Sequence, residues 1–413
     1  MAAVAPRYRI LAVMTAAQIG TTVVQQGFGS LAPAIVAFYH VNKAQLGVAF
    51  TALNVGAALT VAVAGLVVDR LGERAVTVFS GIAVGLTLIV GALVPSYAWL
   101  VTWLLLTGVA YSAMTPAGGR AILAWFDRDR GFAMSVRQMG VSAGAVIGGL
   151  VLPALALRWD YQAALIGGGI IAIVVTSGAM LFYVEPPLKA RSPTRTRTLL
   201  LGMRAIAADP RTITYTSACM ILCAAQQIMN GFISLTATSQ GGATLALAAV
   251  VFSSAQMAAV VGRPAWGWVS DAAFRGDRSL PIAVISVLVL VASLGLAATT
   301  PSNLGLLFAS ALLMGLTAAG WNGLFATAMA EIGGIRFAGS AIGLGLTAIF
   351  LAGAIGPSLF GVLADAHGLR VAWIALGFTA LVAVLPALLS HRAFADAEAA
   401  PAAKPGGTRP AGA

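Results

Sequence analysis

The sequence predicts an all-α polytopic membrane protein with twelve transmembrane helices in two pseudo-symmetric six-helix bundles. Three observations carry that prediction. Of 413 residues, 59% are hydrophobic and 9% charged, with a mean hydropathy of +0.93, whereas a soluble domain needs about a quarter of its residues charged. The apolar residues come in runs such as Ile282 to Thr299 and Val371 to Leu389, close to the ~20 residues that cross a hydrocarbon core. The runs also fall into two sets of six on either side of a basic central segment.

The first run follows MAAVAPRYRI and continues from Ile10 to Ala37, which is too long for a secretory signal and reads as an uncleaved first span. Spans two to six follow at Gln45–Val68, Ala75–Val94, Ala98–Leu123, Gly131–Leu155 and Gln162–Tyr183. The segment from Glu185 to Arg211 is a charged linker, holding Lys189, Arg191, Arg195, Arg197, Arg204 and Arg211 against Glu185 and Asp209. Spans seven to twelve are Thr212–Thr236, Thr244–Trp268, Leu280–Thr299, Leu304–Ala328, Ala338–Leu363 and Val371–Ser390. After Arg392 the stretch AEAAPAAKPGGTRPAGA is rich in Ala, Pro and Gly and reads as a disordered tail. The chain thus divides into an N-terminal bundle (1–184), a linker (185–211), a C-terminal bundle (212–391) and a tail (392–413).

A net charge of +11 would suit a nucleic-acid partner, but the charges fall between the spans, which excludes one. With a cytoplasmic N-terminus, only Lys43, Arg158 and Arg370 of the 24 Lys and Arg residues lie outside, so the positive-inside rule places both termini in the cytoplasm. The linker then faces anionic lipid headgroups, the expected macromolecular surroundings of a monomer. Cys219 and Cys223 sit at i, i+4 in one apolar span and read as small packing residues. His40, His367 and His391 lie at helix ends or in loops without clustered acids or cysteines, so no metal site or nucleophile pair is expected. No P-loop motif is present. Neither an enzyme nor a cofactor is expected.

The halves repeat one another. GLVVD (Gly65 to Asp69) ends span two and GWVSD (Gly267 to Asp271) ends span eight. LTGVA (Leu106 to Ala110) in span four answers LMGLT (Leu313 to Thr317) in span ten, and spans one and seven share GF-x-S-L at Gly27 and Gly231. Gly144 and Gly148 of span five match Ala352 and Gly356 of span eleven. Six-helix halves related in this way form a transporter architecture with the substrate site between them near the midplane.

The string Gly65-Leu-Val-Val-Asp69-Arg70-Leu-Gly72-Glu73-Arg74 resembles the loop between the second and third helices of the major facilitator superfamily. The resemblance covers Ile10 to Ser390. It implies alternating access in a bacterial-type cytoplasmic membrane, with Gly65, Asp69, Arg70, Gly72 and Arg74 forming a gate latch. Asp69 would meet a helix start, where free N–H groups favour a carboxylate. In the second half Gly267 and Asp271 are kept, but Ala272 replaces the following basic residue, so a weaker latch is expected there.

The substrate site must come from what is polar inside the membrane. No carboxylate falls at midplane depth, whereas carriers of cations or protons usually keep one there. The arginine and Gln-Gly of drug and proton antiporters in this superfamily are replaced on span four by Leu104, Thr107 and Gly108. GVSAGAVIGGLVLP (Gly140 to Pro153) is similar to their glycine-rich motif and reads first as close helix packing.

Three arginines remain: Arg120, Arg137 and Arg263. Each either faces the interior or snorkels toward the headgroups. Gly262-Arg263-Pro264-Ala265-Trp266-Gly267 resembles the eighth helix of the monocarboxylate and oxalate porters, in which the arginine pairs with the substrate carboxylate. Trp125 to Met134 is similar to their fifth-helix entry. Two departures are Ala259, where many of them have an acid, and Arg137, where they have a small residue.

Polar candidates on the inward-lining helices are Gln18, Thr22 and Gln25 on one face of span one, and Gln226, Gln227 and Asn230 on span seven. Asn54, Tyr111, Trp321 and Asn322 are weaker candidates. The expected function is transport of a small organic anion, a carboxylate, as its small-molecule partner. The alternative is efflux of neutral or amphipathic compounds, with the arginines structural. A non-transporting membrane sensor is a third reading, disfavoured by the interior amides.

Overall fold

The computed structural model describes residues 6–93, 95–126, 130–185 and 196–399, and these residues are helical apart from short turns, without a strand. Span one is Pro6–Gln25, a 3-10 turn at Gly27–Leu31, and Ala32–Tyr39. Spans two and three are Lys43–Leu71 and Glu73–Ala92, and span four is Tyr97–Tyr111 followed by Met114–Trp125. Spans five and six are Arg130–Arg158 and Tyr161–Leu181. Thr196–Ala208 forms a separate linker helix, then spans seven, eight and nine run Pro210–Ser239, Leu245–Ala273 and Ser279–Ala297. Span ten begins as Leu304–Ala318.

Helical structure then runs from Asn322 to Val382 and from Val384 to Ala399. A straight helix of 61 residues would be about 90 Å long, three times the hydrocarbon core, and this one folds back twice. Gly345 lies against Phe325 and Met329, so the chain reverses between spans ten and eleven. Gly368, at φ +85°, reverses it again, and the Phe360 and Trp373 rings meet at 4.9 Å. Among the described residues the crossings therefore number twelve, with both ends of the described chain on one face, called here the terminal face.

Local chemistry sets these boundaries. Asn42 and Gln45 form a capping box at span two, and Asp160, Asp209 and Thr244 cap spans six, seven and eight. Proline explains three of the four breaks: Pro386 lacks the N–H that would bond Val382, and span twelve interrupts at Ala383. Pro116 lacks the N–H that would bond Ser112, and the chain interrupts at Ser112 and Ala113; Pro33 stands in the same relation to Gly29 in span one. In span ten the break falls at Ala319 to Trp321, where Gly320 lies against the Leu316 carbonyl and the Trp266 indole.

Three expectations are corrected. Spans one, four, ten and twelve are interrupted rather than continuous. The linker contains a helix, and its last residues belong to span seven, because Asp209 accepts from Arg211 N at 2.8 Å and caps the helix at Pro210. Burial raises the Asp209 carboxyl, but the bonds from Arg211 outweigh it and hold the group below its usual range. The tail is helical as far as Ala399, with Phe394 packed edge-on against Tyr215; residues 400–413 lie outside the described residues.

The surface carries exposed Leu59, Phe79, Leu181, Trp268 and Leu385, the apolar coat a bilayer requires. Inside, small residues let the helices approach closely. Gly140, Gly144 and Gly148 of span five meet Thr15, Thr22 and Val23 of span one, so the glycine-rich stretch serves as a packing face.

Candidate functional site

The two halves are fastened together at the face away from the termini. The Asp365 carboxylate caps span two of the other half, accepting from Lys43 N at 2.9 Å and Ala44 N at 2.7 Å, with Lys43 Nζ at 3.6 Å. Thr51 bonds the Ala354 carbonyl and Ser358 Oγ, while Gly47 lies against Pro357 O and Gly29 against Asn230 O. Each of these contacts joins a residue before the linker to one after it.

At the terminal face the loop elements expected to act as gates take shape. Gly72 at φ +82° makes the turn that L-residues resist, and Gly65 and Gly267 have open space beside them. Arg70 and Arg74 are exposed, while the Asp69 side chain lies outside the described residues. Glu73 is buried, accepts from Tyr183 Oη at 2.8 Å and pairs with Arg120 Nε at 3.1 Å. Arg120 also donates to the Val68 carbonyl. The structure thus brings Arg120 to the gate loop and not to the interior amides. In the second half Arg278 supplies the cation that Ala272 does not: its Nη1 meets Asp271 at 2.6 Å and Ser270 Oγ at 2.9 Å, and Nη2 reaches Glu331 at 3.5 Å. The basic partner of Asp271 thus comes from Arg278 rather than from position 272. That residue lies seven positions after the acid, beyond the range of the motif comparison.

Between these two ends Arg137 and Arg263 lie inside the protein, 1% and 8% exposed. Arg137 Nη2 donates to Gln18 Oε1 and to the Met114 carbonyl, both at 2.7 Å. Gln18 Nε2 donates in turn to the Tyr111 hydroxyl at 3.0 Å. The guanidinium lies flat against Gly118, where any Cβ would collide with it, and its Nε and Nη1 have no hydrogen-bond partner among the described residues. Arg263 Nε donates to Ala319 O at 3.4 Å, and Nη1 donates to the Gln138 carbonyl. Neither side chain snorkels, and neither has a carboxylate partner among the described residues.

The arginines bond at the helix breaks. Met114 follows the interruption of span four, and Ala319 opens that of span ten. The break at Ala319 frees a carbonyl that needs a donor inside a membrane, and Arg263 supplies one, whereas Met114 starts a helix and Arg137 adds a second donor to its carbonyl. The Tyr111 hydroxyl lies within electrostatic reach of both guanidinium groups, so the two belong to one polar region.

The amides extend that region. Asn322 Nδ2 donates to Ala319 O at 3.1 Å and to Gln226 Oε1 at 3.2 Å. Gln227 donates to Asn54 Oδ1 across the halves, and Asn230 Nδ2 donates to Gln26 Oε1 at 2.6 Å and Gln227 Oε1 at 3.1 Å. Gln256 Nε2 completes the set by donating to Asn230 Oδ1 at 2.7 Å. Thr22 Oγ1 bonds Gln18 O and Gly140 O, a packing role, and Gln25 Oε1 is buried without a partner among the described residues. Gln26, Gln256 and Gly118 were not among the candidates. Gln256 lies two turns before Arg263 on the same face and was legible as such, whereas Gly118 carries no signal in the sequence.

Two helix bundles closing on a polar interior define a membrane transporter. The chain belongs to the Major Facilitator Superfamily, whose family model matches residues 14–357. It is 30% identical over 344 residues to an uncharacterized MFS-type transporter of Mycobacterium tuberculosis strain ATCC 25618 / H37Rv, covering 80% of this chain and 73% of that protein. A counterpart in strain CDC 1551 / Oshkosh is 29% identical over the same coverage. Among solved structures, a bacterial homolog of the human lysosomal transporter Spinster, inward-facing and unoccupied, superposes with a TM-score of 0.80 at 16% identity, over 95% of this chain and 98% of that one. The nucleoside transporter NupG superposes at 0.73 with 15% identity, over 94% of this chain and 99% of that one.

Proposed function

We propose that this transporter carries a small organic anion, a carboxylate, by alternating access between its two bundles in the cytoplasmic membrane. One observation supports this above the rest: two guanidinium groups are buried between helices without a carboxylate partner among the described residues. Placing each in a membrane costs about 2.5–3.5 kcal/mol on insertion scales, and a ligand carboxylate offsets that cost with charge-assisted, bidentate bonds. Arg263 is the charge anchor, Arg137 adds positive potential, and Gln18, Tyr111, Gln226 and Asn322 orient the ligand. Both termini face the cytoplasm, and the monomer is the working unit.

In proteoliposomes the Arg263→Lys protein should insert normally and lose most uptake of a transported carboxylate, because an ammonium cannot reproduce the planar fork. Undiminished uptake would remove Arg263 from the site. A second reading, movement of an uncharged polar compound, is favoured by the amide set of Gln26, Asn54, Gln227, Asn230 and Gln256; the similarity in fold to a nucleoside transporter makes nucleosides the natural competitors to include.

A further inference from the structure

The two buried arginines are wired differently. Arg137 bonds within its own half, to span one and to span four. Arg263 bonds across the halves, from span eight to the Gln138 carbonyl on span five, and also to Ala319 of its own half. Spans five and eight form a seam between the bundles. Farther from the termini, Ser253 Oγ donates to the Val146 carbonyl at 3.3 Å and Gly149 lies against Phe252. The two spans run antiparallel, so passing from Ser253 to Arg263, or from Val146 to Gln138, moves about 12–15 Å toward the terminal face. The bond from Arg263 thus lies well beyond the Ser253 and Gly149 contacts, on the side that must open to the terminal face.

We propose that this bond is a strap which ties the halves of the empty carrier and which a bound carboxylate releases, so that the protein favours exchange of one anion for another over net flow. The proposal rests on the anion reading above and adds to it the mode of coupling. A carbonyl is a neutral acceptor, whereas a carboxylate accepts a charge-assisted hydrogen bond roughly twice as strong. Arg263 Nη2 has no partner among the described residues, so an arriving carboxylate meets it first. Nη1 carries two N–H groups, so the contest is one of strength: a ligand gripped by both terminal nitrogens draws the guanidinium toward its charge and away from the neutral Gln138 carbonyl. The carbonyl loses little, since it lies inside a helix where the N–H four residues on remains its partner. A ligand shifts an equilibrium only by binding its two states differently, and here it does so by removing a bond between the halves. A carrier tied when empty and freed when loaded crosses readily only with cargo. No acid lies at either guanidinium among the described residues to let a proton serve as the return cargo, so a second anion fills that role.

The strap can be tested without knowing the substrate. Spin labels are placed on cysteines substituted for Met134 of span five and Ala272 of span eight, in full-length protein whose Cys219 and Cys223 are replaced by alanine. The distance distribution of the empty protein should be narrow. Arg263→Met should broaden it toward longer distances, and a saturating carboxylate added to the protein with Arg263 intact should do the same. Identical distributions for the empty proteins with and without Arg263 would overturn the strap, whether or not any carboxylate binds. The ligand-induced change in the otherwise unaltered protein keeps the test decisive should Arg263→Met fail to fold. For exchange, liposomes preloaded with carboxylate should empty about tenfold faster into medium containing that carboxylate than into plain medium, within the usual range of coupling between sites. Equal rates would overturn the exchange preference. Failure of every carboxylate to bind would instead remove the anion reading and leave the label distances to decide the strap.

Discussion

Arg137 is held by groups that each do one thing. Gln18 accepts from it, Met114 offers a carbonyl, and Gly118 leaves room for its flat face. A methyl group at position 118 would overlap the guanidinium, so Gly118→Ala should cost about 1–3 kcal/mol as an overpacking change and abolish transport; an unchanged melting temperature would show that the side chain has another place to go. Gln18 allows a sharper prediction, because stability and activity should move in opposite directions. Gln18→Glu places a carboxylate on Arg137 and should raise the melting temperature, yet by neutralising the site it should reduce anion uptake. Gln18→Leu should lower both, since an unpaired buried donor costs about 1–3 kcal/mol. The residue types of this set were legible in the sequence, but their partners were not: helical periodicity puts Gln18 on an interior face without saying that Arg137 and Tyr111 meet there.

Of the four interrupted spans, spans four and ten are where the elements make the site. Hydropathy read over windows of ~20 residues locates a crossing and averages away a break two residues long. Pro33, Pro116 and Pro386 marked three of these breaks, and Gly320 the fourth, in a form that window averaging does not register. The consequence is chemical as well as geometric, because the interruption in span ten exposes the Ala319 carbonyl to an arginine from a neighbouring span. Helix ends also act across the halves, through Asp365 at the start of span two. Asp365→Asn removes that anionic cap and should loosen the far face. A cysteine placed at Phe50, which is 4% exposed, should then react faster with an impermeant thiol reagent supplied from that side; an unchanged rate would mean that the Thr51 and glycine contacts hold the face closed without it.

For the whole molecule, the composition and the internal repeat were enough to read the fold, because a bilayer admits few architectures and the repeat selects one of them. The interior was half legible. The absence of midplane acids and the presence of Arg137 and Arg263 could be read directly, and so could the amides as a class. That Arg120 serves the gate loop could not, because its partner Glu73 lies 47 positions away in sequence and only the packing of span four against span three joins them. Cross-half pairs such as Gln26 with Asn230 depend on how the bundles dock, which no local pattern encodes. The central claim, that the buried arginines await an anionic ligand, is most directly tested by thermal stability of the purified protein against mono- and dicarboxylates, nucleosides and apolar drugs. At a hundred times its dissociation constant, a bound ligand adds about 2.7 kcal/mol. One or more carboxylates should raise the melting temperature in a saturable way that Arg263→Gln and Arg137→Gln abolish. Stabilisation by uncharged compounds alone, or carboxylate stabilisation that survives both substitutions, would contradict the claim.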